Sequence, residues 1–307
     1  MLLKMIINKA VLSVVCLIAS VPRAEARETP RDPSRRVQYV MGTLCDISAY
    51  GPHADEAITA AFAEIARWDR ALSLYKKESD VSALNASNGA PFQCSPELWE
   101  ALTASIEYAK ASGGAFDPTI LPVLRNGPQA LASVGYQKIE LDDKKRFARF
   151  RARGMAVDFG GIGKGIALDH AVKVLRLRGI NAARLNLGGQ IYALGAPPEA
   201  SAWPVIVEGS TETFFLRDAS ISTSGNSEKP GHIASPFTGQ RIYEDYATIV
   251  ASNSATEADA WSTAVFVLGP DKPQLYQGCW LITGRRPRQA AACAHLLPVR
   301  KEKGDRS

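Results

Sequence analysis

Val157-Asp158-Phe159-Gly160-Gly161-Ile162-Gly163-Lys164-Gly165 is the stretch on which the reading of this chain turns. A short apolar run at 155–159 predicts a strand, the glycines predict a turn, and apolar periodicity predicts a helix over 165–178. Glycines let a backbone approach a ligand closely. Amides at the start of the helix and the charge of Lys164 attract an anion, so a phosphate-bearing ligand suits the loop. The run is not a P-loop, because Asp158 stands at the first glycine position and Gly165 at the Ser/Thr position. Nor is it a dinucleotide fingerprint, since Ile166 replaces the third glycine. Read alone, it serves equally as a ligand loop or as a tight structural turn.

Outward from this centre, helices are predicted over 54–72, 96–111 and 255–268, the last stopped by Gly269-Pro270. Strands are predicted over 37–48, 184–187, 204–207, 248–251 and 279–283. Strands and helices mix without strict βαβ alternation, so the expected class is α+β (mixed α/β), with mixed sheets flanked by helices.

With 46% hydrophobic and 22% charged residues in 307, the chain is an ordinary globular protein, neither collagen-like nor coiled coil. Lys4 and Lys9 precede an apolar run over 10–21 and then Ala24-Glu25-Ala26. That order predicts a signal peptide, 1–26, cleaved after Ala26, with a retained anchor as the alternative. Val15 before Cys16 speaks against a lipoprotein signal. A soluble periplasmic product is expected, with one domain over 27–284 and a basic tail over 285–307.

The net charge of +5 is uneven. The tail holds seven basic against two acidic side chains and residues 1–26 three against one, which leaves 26 basic and 28 acidic between them. The nearly neutral body gives no reason to expect a nucleic-acid partner; the tail is a solvated terminus or a contact for an acidic membrane surface. Cys45, Cys94, Cys279 and Cys293 remain after cleavage and allow three pairings in an oxidising compartment.

Four further stretches carry chemistry. Gly188-Gly189 follows a predicted strand and reads as a turn or a ligand contact. Asp259 and Thr263 share one face of a predicted helix, an arrangement of oxygens suited to a hard cation such as Mg²⁺ or simply to a solvated acid beside a helical threonine. His232 sits in a turn-rich loop after Ser222-Thr223-Ser224-Gly225, as a catalyst or a surface residue. Gly114-Ala115-Phe116-Asp117-Pro118 places an aromatic and an acid side by side in a turn.

Taken in order, these elements resemble the ApbE family of flavin transferases over roughly residues 38–270. The resemblance rests on Met41-Gly42-Thr43, Ser73-Leu74-Tyr75 with Ser79, Ser82 and Leu84-Asn85, Gly114 to Pro118, Asp158 to Gly165, and Gly188-Gly189. It continues through Thr223 to Gly225, His232-Ile233 to Gly239, and Ala258 to Ala264. Ser235 departs from the acid often found before the proline, Gln190 from the acid after the glycine pair, and Gly163 from a common alanine. The resemblance implies an ApbE-type fold and an FAD site lined by Met41, Tyr75, Ala115, Phe116, Asp117, Asp158, Lys164 and Ile233. It also implies Mg²⁺ held by the Gly161 carbonyl, Asp259 and Thr263.

The implied activity is FAD:protein FMN transfer: FMN moves from FAD to a Thr or Ser hydroxyl of an exported or membrane-associated acceptor flavoprotein, and AMP is released. His232 and Lys164 are the expected catalytic residues, the histidine as proton acceptor and the lysine as charge neutraliser. An FAD pyrophosphatase and a non-catalytic FAD-binding assembly factor are the alternatives.

Overall fold

The structure, a computed structural model, describes residues 32–207, 210, 213–227, 229–284, 287–290 and 293. The expected signal peptide and most of the basic tail lie outside the described residues. Where the sequence predicts one strand over 37–48, the chain forms a hairpin of β1 (Ser34–Val40) and β2 (Thr43–Tyr50). Met41 and Gly42 both take left-handed backbone, φ 53° and 76°, and two such residues make the tight turn whose twist suits a hairpin. Met-Gly lacks the Asn-Gly signature by which such turns are usually read.

Helices α1 (Ala54–Leu72) and α3 (Pro96–Ala111) form where the apolar spacing predicts them, with the short α2 (Asp80–Ala86) between them. Ser95 caps α3 by accepting the Leu98 N–H, and Pro96 occupies the first turn, where its missing donor costs nothing. A three-stranded sheet, order β3 (Phe92–Gln93), β5 (Phe147–Phe150), β4 (Ile139–Asp142), flanks the short α4 (Leu121–Asn126) in the chain.

The larger sheet continues from the hairpin through β6 (Ala182–Leu187), β7 (Gln190–Leu194), β10 (Ala219–Ser224), β11 (Thr248–Ser252), β12 (Cys279–Ile282) and β13 (Arg288–Gln289). Every pairing between described strands is antiparallel, and with the segregated helices this makes the fold α+β.

Alternation along the strands divides the core in two. Tyr192, Leu194, Val250, Trp280 and Ile282 pack toward α1, α5 (Gly163–Leu177) and α6 (Ala255–Leu268). Ile191, Ala193, Ile221, Ile249 and Ala251 pack on the other face beneath the hairpin β8 (Trp203–Ile206)–β9 (Thr213–Leu216). Strand β10 departs from the apolar rule on the helix side, where Ser222 and Ser224 meet α6. That polar strip positions the site described below.

Residues 155–159, predicted as a strand, pair with no strand. The Asn85 side chain takes the place of one: its amide donates to Val157 O at 2.9 Å and its Oδ1 accepts Val157 N–H at 2.8 Å, while Asp158 N–H bonds Pro118 O. The segment is extended and satisfied, but by a side chain and a loop.

Cys279 and Cys293 form a disulfide, which resolves the pairing left open by the sequence; Cys45 and Cys94 are buried free thiols, pushed up by burial to about 12 and about 11 and therefore unreactive. The bridge closes a span of 14 residues, and restricting a loop of that size in the unfolded chain contributes ~3 kcal/mol. Cys293→Ser is expected to lower unfolding free energy by about that amount in denaturant titrations under oxidising conditions. Equal stability of the variant and the oxidised parent would contradict a stabilising bridge.

Candidate functional site

The glycine-rich run enters the site with Asp158, whose Oδ1 accepts Gly160 N–H at 2.8 Å and so folds the turn on itself. Helix α5 then starts at Gly163 with no side-chain cap of its own. The cap comes from another helix: Asp259 Oδ2 on α6 accepts Gly165 N–H at 3.0 Å. This is possible because the two helix starts nearly touch; a Cβ on Gly165 would lie 2.4 Å from Ala255 O. Gly161 is likewise pressed against α6, where a Cβ would lie 2.9 Å from Thr263 Oγ1.

Asp259 is only 3% exposed, yet fully engaged. Beside the bond to Gly165, its Oδ1 accepts Ser222 Oγ–H at 3.3 Å and lies 3.5 Å from Lys164 Nζ. A chain of hydroxyls extends from it: Ser262 Oγ contacts Ser222 Oγ at 3.2 Å and Ser224 Oγ at 2.9 Å, and Ser224 Oγ lies 3.4 Å from Thr263 Oγ1. Serine at 222, 224 and 262, at positions where strand and helix patterns call for apolar side chains, is the signal that identifies them.

Above this floor opens a cavity of ≈350 Å³, within the range of small-molecule sites. Of the expected site residues, Ala115, Phe116, Asp117, Asp158, Gly161, Lys164, His232, Ile233, Asp259 and Thr263 line it. Met41 and Tyr75 do not. Met41 sits in the hairpin turn, with its Cε 3.8 Å from where a Cβ on Gly163 would be, and so abuts the back of the glycine turn. Tyr75 lies on the loop after α1 and is 89% exposed. The Gly188-Gly189 turn and Gln190 join the wall.

Gln190 is 1% exposed. Its amide N–H donates to Ala255 O at 2.7 Å, which fixes the amide orientation and leaves Oε1 without a partner; Thr223 Oγ1 is also buried and unpartnered. Unsatisfied buried oxygens are costly, and Gln190 Oε1 in the cavity wall points to a bound group that supplies its partner.

The charges are arranged around Asp158. Burial pushes its carboxyl above the ordinary carboxylate range, opposed by the Gly160 N–H and by Arg125, Lys164 and Lys229. Burial raises Asp117 as well, against bonds from Thr119 Oγ1 (2.6 Å), Thr119 N–H and Tyr136 N–H. Asp117 thus holds its loop together while one side faces the cavity. His232 contacts Lys229 O through Nδ1 at 2.5 Å; a carbonyl can only accept, so Nδ1 carries the proton and Nε2 is the basic atom.

The family model described as the ApbE family matches residues 41–278. The chain belongs to the ApbE family. A relative from Treponema pallidum named FAD:protein FMN transferase is 28% identical over 313 residues, covering 84% of this chain and 85% of the relative. One of the same name from Klebsiella pneumoniae is 26% identical over 311 residues, covering 87% and 88%. Among solved structures, the apo form of Pseudomonas stutzeri flavinyl transferase ApbE aligns with TM-score 0.78 at 25% identity, over 87% of this chain and 98% of that one. The ApbE protein of Thermotoga maritima aligns with TM-score 0.80 at 22% identity and speaks to the ApbE fold alone.

The raised Asp158 carboxyl fixes a pH dependence. The native state holds its proton more tightly than the unfolded chain, so stability is full below the ordinary carboxylate pKa of about 3.9 and falls as pH rises through the higher native value. Asp158→Asn keeps an acceptor for Gly160 and removes the charge. Thermal melts should show the variant more stable at neutral pH, with the gap closing below pH ~4. A gap that persists in acid would show that the charge is not its cause.

Proposed function

We propose that this ApbE-family chain is an FAD:protein FMN transferase, moving FMN from FAD to a Ser or Thr hydroxyl of an acceptor protein. The observation that carries the reading is the cavity wall, where the Asp158 to Gly165 turn, the Asp259–Thr263 face of α6 and the His232 loop meet around one volume. Length and identity of the relatives support it across most of the chain.

The residues fit a hard divalent cation, for which we propose Mg²⁺. Among the described residues no cluster of three or more His, Cys, Asp or Glu is placed to hold a metal. The donors available are instead one carboxylate (Asp259), one hydroxyl (Thr263) and the Gly161 carbonyl, with the unpartnered Gln190 Oε1 in the same wall. An oxygen set with a single charge suits Mg²⁺, which keeps waters and takes phosphate oxygens as further ligands. Bound there, the cation would neutralise charge on the pyrophosphate oxygens of FAD.

The side chains supply the remainder. Gly160 N–H and Gly165 N–H are taken by Asp158 and Asp259, so what favours the anion is the positive end of α5 and Lys164, whose ammonium would be free to pair with a phosphate if a cation shared the Asp259 carboxylate. Phe116, Ile233 and Ala115 give the apolar surface that a flavin or adenine ring requires; Met41 supports the glycine turn from behind, and the exposed Tyr75 ring, outside the cavity wall, is proposed as a further stacking partner. His232 Nε2 accepts the acceptor hydroxyl's proton as its oxygen attacks the FMN-side phosphorus. The new O–P bond forms, the pyrophosphate P–O bond breaks, and AMP leaves.

We further propose that 1–26 directs export, that 27–284 is the catalytic domain, and that the tail 285–307 meets the membrane surface where a membrane-associated acceptor flavoprotein sits. The Cys279–Cys293 disulfide supports a periplasmic location, since such bridges persist in oxidising compartments.

The test incubates protein 27–307 with FAD, Mg²⁺ and extracts of exported proteins, then reads flavin fluorescence on a denaturing gel and released AMP. Labelled bands are expected with the parent and none with Asp259→Asn, which keeps an oxygen to cap α5 but loses the charge. Free FMN and AMP without a labelled band would favour a pyrophosphatase instead.

His232→Ala should lower the transfer rate by ~10²–10⁴-fold with FAD affinity little changed. Equal loss of binding and rate would assign the histidine to FAD binding.

A further inference from the structure

His232 lies on an irregular loop, and a proton acceptor on a loop is useful only if something fixes it. After β10 the chain runs through Asn226 to Gly231, passes His232, then folds back as a small ribbon. In that ribbon Ser235 N–H bonds Gln240 O, Ile242 N–H bonds Ile233 O, and Ala234 bridges to Arg241. Ala234 is buried in a small apolar cluster with Val123 and Val134. Ile120 and Leu124, on the segment that leads into and through α4, pack against the same cluster and line the cavity.

Arg241 joins the two sides. Its Nη1 donates to Gly231 O at 2.5 Å, the carbonyl immediately before His232, and its Nη2 donates to Leu124 O at 2.5 Å on α4. Gly231 is also held on its N-terminal side, where its N–H donates to Asn226 Oδ1 at 3.0 Å, and Asn226 Nδ2 in turn donates to Glu244 O. Leu124 O lies in the last turn of α4, where carbonyls lack helical partners and a guanidinium is a favourable one.

Resting on the transferase reading above, we infer that Arg241 is a positioning residue: its guanidinium straps the His232 loop to α4 and sets the distance from Nε2 to the acceptor hydroxyl. Both charge-assisted bonds go to backbone carbonyls, and Arg241 is not among the residues that line the cavity, so it acts through His232 and not on the phosphates. A planar fork with two donors pointing to separate carbonyls does what a lysine cannot.

A displacement of about 1 Å in a reacting group costs on the order of a hundredfold in rate. For Arg241→Ala the strap predicts a kcat for FMN transfer ~10–100-fold lower, with FAD affinity, followed by flavin fluorescence, within about threefold of the parent. Amide hydrogen exchange over 229–235 should quicken in the full-length variant while exchange in α6 stays as in the parent. Arg241→Lys should remain near the Ala variant in both readouts, because one point donor cannot span two carbonyls.

Parent-like exchange in Arg241→Ala, equal loss of FAD affinity and kcat, or full recovery with Lys would each overturn the inference. If the parent transferred no flavin to any protein, the transferase reading would fail, while the exchange comparison would still decide whether the strap exists.

Discussion

The close approach of two helix starts governs this molecule. Helices α5 and α6 come so near at their N-termini that only glycine fits at 165, and the gap between them is bridged by two carboxylates: Asp259 of α6 caps α5, which supplies no cap of its own, and Asp169 of α5 accepts the Ala255 and Thr256 N–H groups at the start of α6. Both helix starts present positive partial charge, and bringing them together is unfavourable without a buried anion between them. Asp259 supplies it. Once the two are pinned, the rest of the site follows: Gly161 lies against Thr263, Lys164 reaches Asp259, and Gln190 reaches Ala255 O.

The polar floor under the cavity follows from the same constraint. A carboxylate buried to this degree needs hydrogen-bond donors, and Ser222 on β10 is the nearest strand position facing it. Ser222, Ser224 and Ser262 then satisfy one another, so the hydroxyl network stands as a unit and holds Asp259 and Thr263 in fixed orientations. Gln190 Oε1, in the cavity wall beside them, remains unsatisfied. The network is complete toward the protein and incomplete toward the cavity, as expected of a preorganised binding site.

Much of this was legible in the sequence because it depends on local chemistry. Helices over 54–72, 96–111 and 255–268 are amphipathic or flanked by strong stop and cap signals, and they appear with those bounds. The cavity residues were legible through ordered motifs, each too short to decide alone. What was not legible depends on partners distant in the chain. The 155–159 segment reads as a strand but pairs with Asn85, seventy-two positions from Val157. The Met41-Gly42 reversal has no typical turn pair. Asp259 reads as a metal ligand or a solvated acid, whereas it also caps a helix 94 residues away. No local pattern announces Arg241, whose partners lie 10 and 117 positions distant.

The most direct test of the site is a crystal structure of the protein with FAD and Mn²⁺, read from anomalous scattering at the manganese edge. The account predicts a peak within coordination distance of Asp259, Thr263 Oγ1 and the Gly161 carbonyl, beside the FAD pyrophosphate at the start of α5. Flavin bound in the cavity with the metal elsewhere, or FAD bound outside the wall of Asp158, Lys164 and His232, would contradict it.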